Sequence, residues 1–232
     1  MRVTACSVLL CLVIGGGLVA SAQAPAGKGW VDRFDVDKKD FVSIGANDYF
    51  RLEPGVFLAL EKGKERLVIT VLDETRFVDG VETRVVEERE SKGGRLVEIS
   101  RNFFAFNAAD RGVYYFGEEV DIYKNGKVVR HEGAWESGKN GARFGLMVPG
   151  RPEVGARFYQ EIAPGVAMDR ARIVAIDASI RTPAGEFKGC LEFVETTPLE
   201  PLARDSKVYA PGVGLVKDGS LLLVEHGRKE ER

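Results

Sequence analysis

From Asn47 onward the chain alternates runs of β-branched and aromatic residues with short clusters of Gly, Asn, Asp, Ser and Lys, and this punctuation restricts the fold more than any other feature. Residues 67–72, 81–90, 95–106, 113–123 and 127–132 read as strands, separated by Asp79-Gly80, Ser91-Lys92-Gly93-Gly94, a turn over 107–112 and Asn125-Gly126. Asn-Gly is the strongest turn signal, because both residues tolerate the positive φ that a type I′ turn demands. If that turn sets the register, Asp121 falls opposite Arg130 and Glu119 opposite Glu132. Further runs at 157–162, 172–181, 188–196, 207–209 and 220–225 follow, with Thr182-Pro183-Ala184-Gly185 as a second hairpin turn. Residues 133–155 are rich in Gly and Pro, show neither strand nor helix period, and read as a long ordered loop or lid. No segment carries a sustained apolar stripe of helical period. The fold expected is therefore all-β: a single curled antiparallel sheet or up-and-down β-barrel with a long Gly-rich loop. Closing the meander buries one face and removes its edges.

Upstream of these strands, Met1-Arg2 precede an apolar run over 3–20, and Ser21-Ala22-Gln23-Ala24 supply small residues at signal-peptidase spacing. This reads as a secretory signal over 1–24, cleaved after Ala24, with Ala22 as the alternative. The run is short and broken by Gly15-Gly16-Gly17, so no transmembrane segment is expected after cleavage. Almost no apolar region precedes Cys6, which argues against a lipoprotein signal. An N-terminal arm over 25–46 follows, in which Phe34, Val36 and Phe41 are placed to pin it down; a single β domain over 47–226 and a charged tail over 227–232 complete the chain. Cys6 and Cys11 leave with the signal, so Cys190 has no internal disulfide partner and reads as a buried thiol or an interchain bridge. The net charge of −2 and the mixing of Lys62-Gly63-Lys64 and Arg228-Lys229 with glutamates exclude the basic stripe that nucleic acid requires. The expected location is exported, periplasmic or extracellular.

Tyr209-Ala210-Pro211-Gly212-Val213-Gly214-Leu215-Val216-Lys217 resembles a segment of a large group of uncharacterised exported bacterial β-rich proteins. The resemblance extends to Tyr115-Phe116-Gly117-Glu118-Glu119-Val120, to His131-Glu132-Gly133-Ala134-Trp135-Glu136-Ser137-Gly138, and to Thr182-Pro183-Ala184-Gly185-Glu186-Phe187. Cys190-Leu191-Glu192 and Thr197-Pro198-Leu199-Glu200-Pro201 match as well. It spans roughly residues 47–224 and implies one β domain in a cell envelope, with no catalytic residue attached.

Chemistry-bearing residues are sparse. His131 and His226 lack neighbouring ligands at metal-site spacing, so no metal or cofactor is expected. No serine sits in a Gly-x-Ser-x-Gly elbow, and no catalytic residue is assigned. Glu119 and Glu132 form a candidate acidic site, able across strands to act as an acid–base pair or to hold calcium with loop carbonyls. Their simpler reading is the wet face of a sheet. Phe104, Phe106, Tyr114, Phe116 and Trp135 are the candidate ligand-binding residues: aromatics on two linked strands that either wall an apolar cavity or fill a core. The function expected is non-enzymatic binding of an apolar small molecule or envelope component. A carboxylate-based hydrolase and a protein–protein interaction module of the envelope are the alternatives.

Overall fold

The computed structural model describes residues 29–131 and 133–229. The signal with Cys6 and Cys11, the start of the arm, Glu132 and the last three residues lie outside the described residues. The chain is all-β, with one 3-10 turn at Lys38–Asp40. β1 (Phe41–Val42) belongs to the arm. A meander of long strands follows: β2 (Val56–Lys62), β3 (Glu65–Val78), β4 (Val81–Lys92), β5 (Arg95–Asn107) and β6 (Val113–Lys124). β7 (Lys127–Arg130) and β8 (Trp135–Glu136) both return beside β6, and three short strands come next, β9 (Arg143–Val148), β10 (Arg157–Tyr159) and β11 (Glu161–Ile162). A second meander comprises β12 (Arg170–Thr182), β13 (Gly185–Thr197), β14 (Glu200–Ala210), β15 (Gly214–Asp218) and β16 (Leu221–Arg228).

The strands pair antiparallel in the order β10-β12-β13-β14-β15-β16-β2-β3-β4-β5-β6-β9-β11, a nearly closed barrel of 13 strands. The β16–β2 pairing, with Leu223 opposite Leu60, joins the two meanders. Both expected hairpin turns form. Asn125 and Gly126 have φ of 54° and 75°, and Lys124 pairs with Lys127 across them; Thr182 pairs with Gly185 across Pro183-Ala184.

Closure occurs within one short stretch of chain. β10 bonds to β12, whereas β11, one residue later, bonds to β9 at the other end of the strand order. Gln160 is the residue between them, and the N–H groups of Gln160 and Glu161 both donate to the Asp169 carbonyl, at 2.8 and 3.1 Å. β9 reaches this crossing only because residue 145 is glycine: a Cβ there would stand 2.2 Å from the Gln160 carbonyl oxygen. The arm then covers the edge of β10 that β12 leaves free. Val31 lies parallel to Phe158, donating to the Arg157 carbonyl at 3.0 Å and accepting from the Tyr159 N–H at 2.9 Å.

Residues 133–155 are thus not a strandless loop: they carry β8 and β9. Gly145 interrupts the alternation of β9 in sequence for the same reason that it allows closure, and β8 is too short to show a period. A second departure lies in β6. Phe104 pairs with Tyr115 but Phe103 with Gly117, so Phe116 is an extra residue, a β-bulge that reverses which side chains face inward. Gly117 has φ of 152°, and a Cβ on it would meet the Trp135 carbonyl oxygen at 2.4 Å. A third departure follows the Asn125-Gly126 turn, where Ile122 rather than Asp121 pairs with Arg130.

Replacing Gly145 with Ala forces the crossing strand away from β9, and should destabilise the protein by roughly 1–3 kcal/mol in urea unfolding. An unchanged midpoint would show that closure does not depend on this approach.

Candidate functional site

The five aromatics singled out in the sequence do not share one wall. Phe104, Phe106 and Trp135 face the lumen with Tyr115, whose ring stacks on Phe104 at 4.5 Å and meets Trp135 edge-on at 5.3 Å. Tyr114 and Phe116 face outward into a different cluster, closed over by Phe41 of the arm and Phe144 of β9. Phe34 of the arm packs edge-on against Tyr114 at 5.6 Å. Alternation alone separates Tyr114 and Phe116 from Tyr115, and all five rings are buried as packed core.

The acidic residues are divided in the same way. Glu119 lies opposite Arg101 and binds Arg76 on the outer face. Glu136 binds the same Arg76 and also Lys139, and these cations hold its carboxyl below the usual range against the opposing effect of burial. The register slip after the hairpin turn removes the pairing on which a Glu119–Glu132 site rests, and Glu132 is outside the described residues. Of the histidines, His131 binds Asp121 at the surface, 2.7 Å away, and His226 is exposed opposite Leu58.

Because of the bulge, Glu118 points inward, and there it joins acids that the sequence reading did not single out. Cross-strand register sets Glu90 beside Glu98, and Glu88 beside Ser100, on the lumen faces of β4 and β5. Glu195, Lys207, Asp218 and Tyr209 face them from β13, β14 and β15, and Glu161 comes from the crossing strand. Lys207 Nζ lies 3.3 Å from Glu195 and 3.8 Å from Asp218. Tyr115 donates to Asn102 Oδ1 and lies 3.2 Å from Glu118 Oε2. One oxygen of each of Glu90, Glu118, Glu161, Glu195 and Asp218, together with the Tyr209 hydroxyl, has no hydrogen-bond partner among the described residues.

Burial sets the protonation of these groups. It pushes Asp218 up to about 6, Glu88 to about 7 and Glu90 to about 8, with Lys207 pulling each back. Glu118 and Glu161 are driven well above the carboxylate range by burial and by neighbouring acids. The signal that could have exposed this layer is visible in β4, where Glu87, Glu88, Arg89 and Glu90 put charge on both faces of one strand. Among the described residues no group of three or more His, Cys, Asp or Glu is arranged to hold a metal ion. The cavity next to Glu88, Lys207, Tyr209 and Asp218 is about 50 Å³, well short of a small-molecule pocket.

A larger space opens at the seam, between β10 and the C-terminal half of β9. This seam groove encloses about 870 Å³, with Phe34, Leu146, Phe158 and Ile173 as its apolar lining. Arg151, Arg157 and Arg172 supply cations and Glu153 the one acid. Arg157 and Arg172 sit directly opposite each other on β10 and β12, and none of the three guanidiniums forms an ion pair with a described residue. The arm borders the groove: Trp30 lies under Arg170 at 4.3 Å, and Asp32 binds Arg143 at 3.2 Å.

Protein-family models, curated proteins and solved structures all lack a match to this chain.

The lumen acids predict an unusual pH dependence. Their folded pKa values lie above the unfolded ones, so the folded chain holds extra protons between the ordinary carboxyl range and about 8. Stability is then fully present below the unfolded pKa values and declines as pH rises through the folded ones. The thermal midpoint should drop by several degrees between about pH 5 and about pH 8, and Glu90→Gln should flatten that slope. A midpoint that climbs over this range would contradict the placement of the acids.

Proposed function

We propose that the protein is an exported, non-enzymatic binding protein of the cell envelope that holds an amphiphile, apolar in its body and acidic at its head, in the seam groove. The observation that carries this reading is the combination of an apolar floor with Arg157 and Arg172, which form no ion pair among the described residues, in a groove of about 870 Å³. That volume suits a small-molecule ligand. Two like charges directly opposite on neighbouring strands oppose folding, and an anionic headgroup relieves that repulsion while a guanidinium pair grips carboxylate or phosphate. The secretory signal read over 1–24 and the resemblance to exported β-rich proteins support an envelope setting. A hydrolase gains less support, since Glu118 and Glu119 lie on opposite faces of β6 and the carboxylates of Glu119 and Glu136 are engaged by Arg76 and Lys139.

Displacement of a fluorescent fatty acid by oleate tests the proposal. The parent should bind the carboxylate probe and ignore an alkyl trimethylammonium of equal length. Arg157→Ala/Arg172→Ala should weaken binding at least about tenfold, the scale of a lost charge-assisted pair. Its stability should hold or rise by a few tenths of a kcal/mol, because a like-charge pair is removed. Equal affinity in the double variant, or no binding by the parent, would overturn the assignment.

A further inference from the structure

Successive turns of a meander alternate between the two ends of a barrel, and one end here gathers charge of a single sign. Antiparallel pairing sets Glu65 opposite Lys92 and Glu98 opposite Ile122, so the turns after β2, β4 and β6 come to that end side by side. The Gly93 N–H donates to the Lys64 carbonyl at 2.8 Å, which ties the first two of these turns together. They carry Lys62, Lys64, Lys92, Arg95, Lys124 and Lys127, all exposed. Lys92 binds Glu65 at 2.8 Å, and Glu61 at the same end is held by Arg66. The other cations of the three turns form no ion pair among the described residues. In a chain of net charge −2 this is a local asymmetry, assembled by strand pairing from turns that are each only modestly basic.

The same end carries an apolar tip. Leu222 lies opposite Glu61, which brings the β15–β16 turn to this end, and β15 ends there at Asp218 opposite Lys207. β14 starts earlier, at Glu200, so residues 200–204 of the β13–β14 hairpin project past β15. Pro198, Leu199, Pro201 and Leu202 are all exposed there, and Leu202 is 99% exposed. Apolar side chains held out together from the fold mark a contact surface. We propose that this end of the barrel docks on an anionic bilayer, its cations over the headgroups and the 198–202 tip inserted at the interface. Cations spread over three turns make a broad field and not a pocket, which suits a surface of many mobile anions better than one compact ligand. Each cation near an anionic leaflet adds to binding, and the apolar tip adds a share that salt does not screen. None of these residues lines the seam groove, so the docking end is separate from it.

Sedimentation of the exported chain, after cleavage of the segment read as its signal, with lipid vesicles tests the proposal. The protein should pellet with vesicles of phosphatidylcholine mixed with phosphatidylglycerol, stay in solution with phosphatidylcholine alone, and be released progressively as salt is raised. Lys62→Gln/Lys64→Gln should weaken the partitioning about tenfold or more, and Lys124→Gln/Lys127→Gln, on a different turn, should act alike. Leu199→Asn/Leu202→Asn should weaken it about tenfold as well, through lost apolar contact. All these positions are exposed, so the thermal midpoints should stay at that of the parent. The leucine variant should also bind the fluorescent fatty acid as the parent does, so failure of the seam groove and failure of docking are read separately. No pelleting with the anionic vesicles, equal pelleting with phosphatidylcholine alone, or lysine and leucine variants that partition as the parent does would overturn the proposal. Binding to soluble polyglutamate without binding to vesicles would overturn it too, by assigning this end to an acidic protein partner.

Discussion

A sheet of 13 strands leaves two edges that must meet, and here they meet in residues 157–162. The chain changes hydrogen-bond partner at Gln160, from β12 to β9, within a single residue. Such a swap closes the barrel at one point and leaves a seam beside it. The arm covers part of the opening by adding Val31 to the edge of β10, and Phe34 and Phe41 anchor it over the outer aromatic cluster. The seam groove is what remains of the gap. Its position between arm, β9 and β10 follows from closure geometry, and its arginines come from strands that closure brings side by side.

The lumen shows the opposite economy. Leucines, Phe193 and Tyr209 fill one part of it, while six glutamates and an aspartate occupy the rest around Lys207. Burying carboxyls is unfavourable unless they are neutral or well partnered, and several here retain an oxygen with no hydrogen-bond partner among the described residues. The fold thus tolerates a costly polar layer inside a barrel whose apolar clusters supply the stability. Perturbed carboxyls of this kind gather at functional sites. Glu118 belongs to the layer because the Phe116–Gly117 bulge turns it inward.

Much of this architecture was legible in the sequence, because it is local. Asn125-Gly126 and Pro183-Ala184 carry their own backbone geometry, and long alternating runs between them specify strands whatever lies beyond. Phe34 and Phe41 stood out as apolar residues in a charged arm, and they are its anchors. The failures are all non-local or parity-dependent. One extra residue at Phe116 reverses the facing of Glu118 and Glu119, and one at Val129 shifts Asp121 away from Arg130. Grouping Tyr114 with Phe104 ignored the period of a strand, which places Tyr114 and Tyr115 on opposite faces. β9 was hidden by Gly145, a residue chosen by contact with a carbonyl 15 positions away. The Arg157–Arg172 pair is a product of register between strands and has no signature in either segment alone.

The central claim is that the barrel closes at residues 157–162 with the arm sealing the free edge of β10, and amide hydrogen exchange at Tyr159 tests it most directly. That N–H donates to the Val31 carbonyl at 2.9 Å, so it reports on the arm itself and not on the barrel strands. Protection at Tyr159 well above that of an exposed edge amide, lost when Val31 is replaced by Pro to remove its own N–H, is the predicted result. Exchange at Tyr159 as fast as in an exposed loop of the intact protein would mean that the arm does not seal the seam.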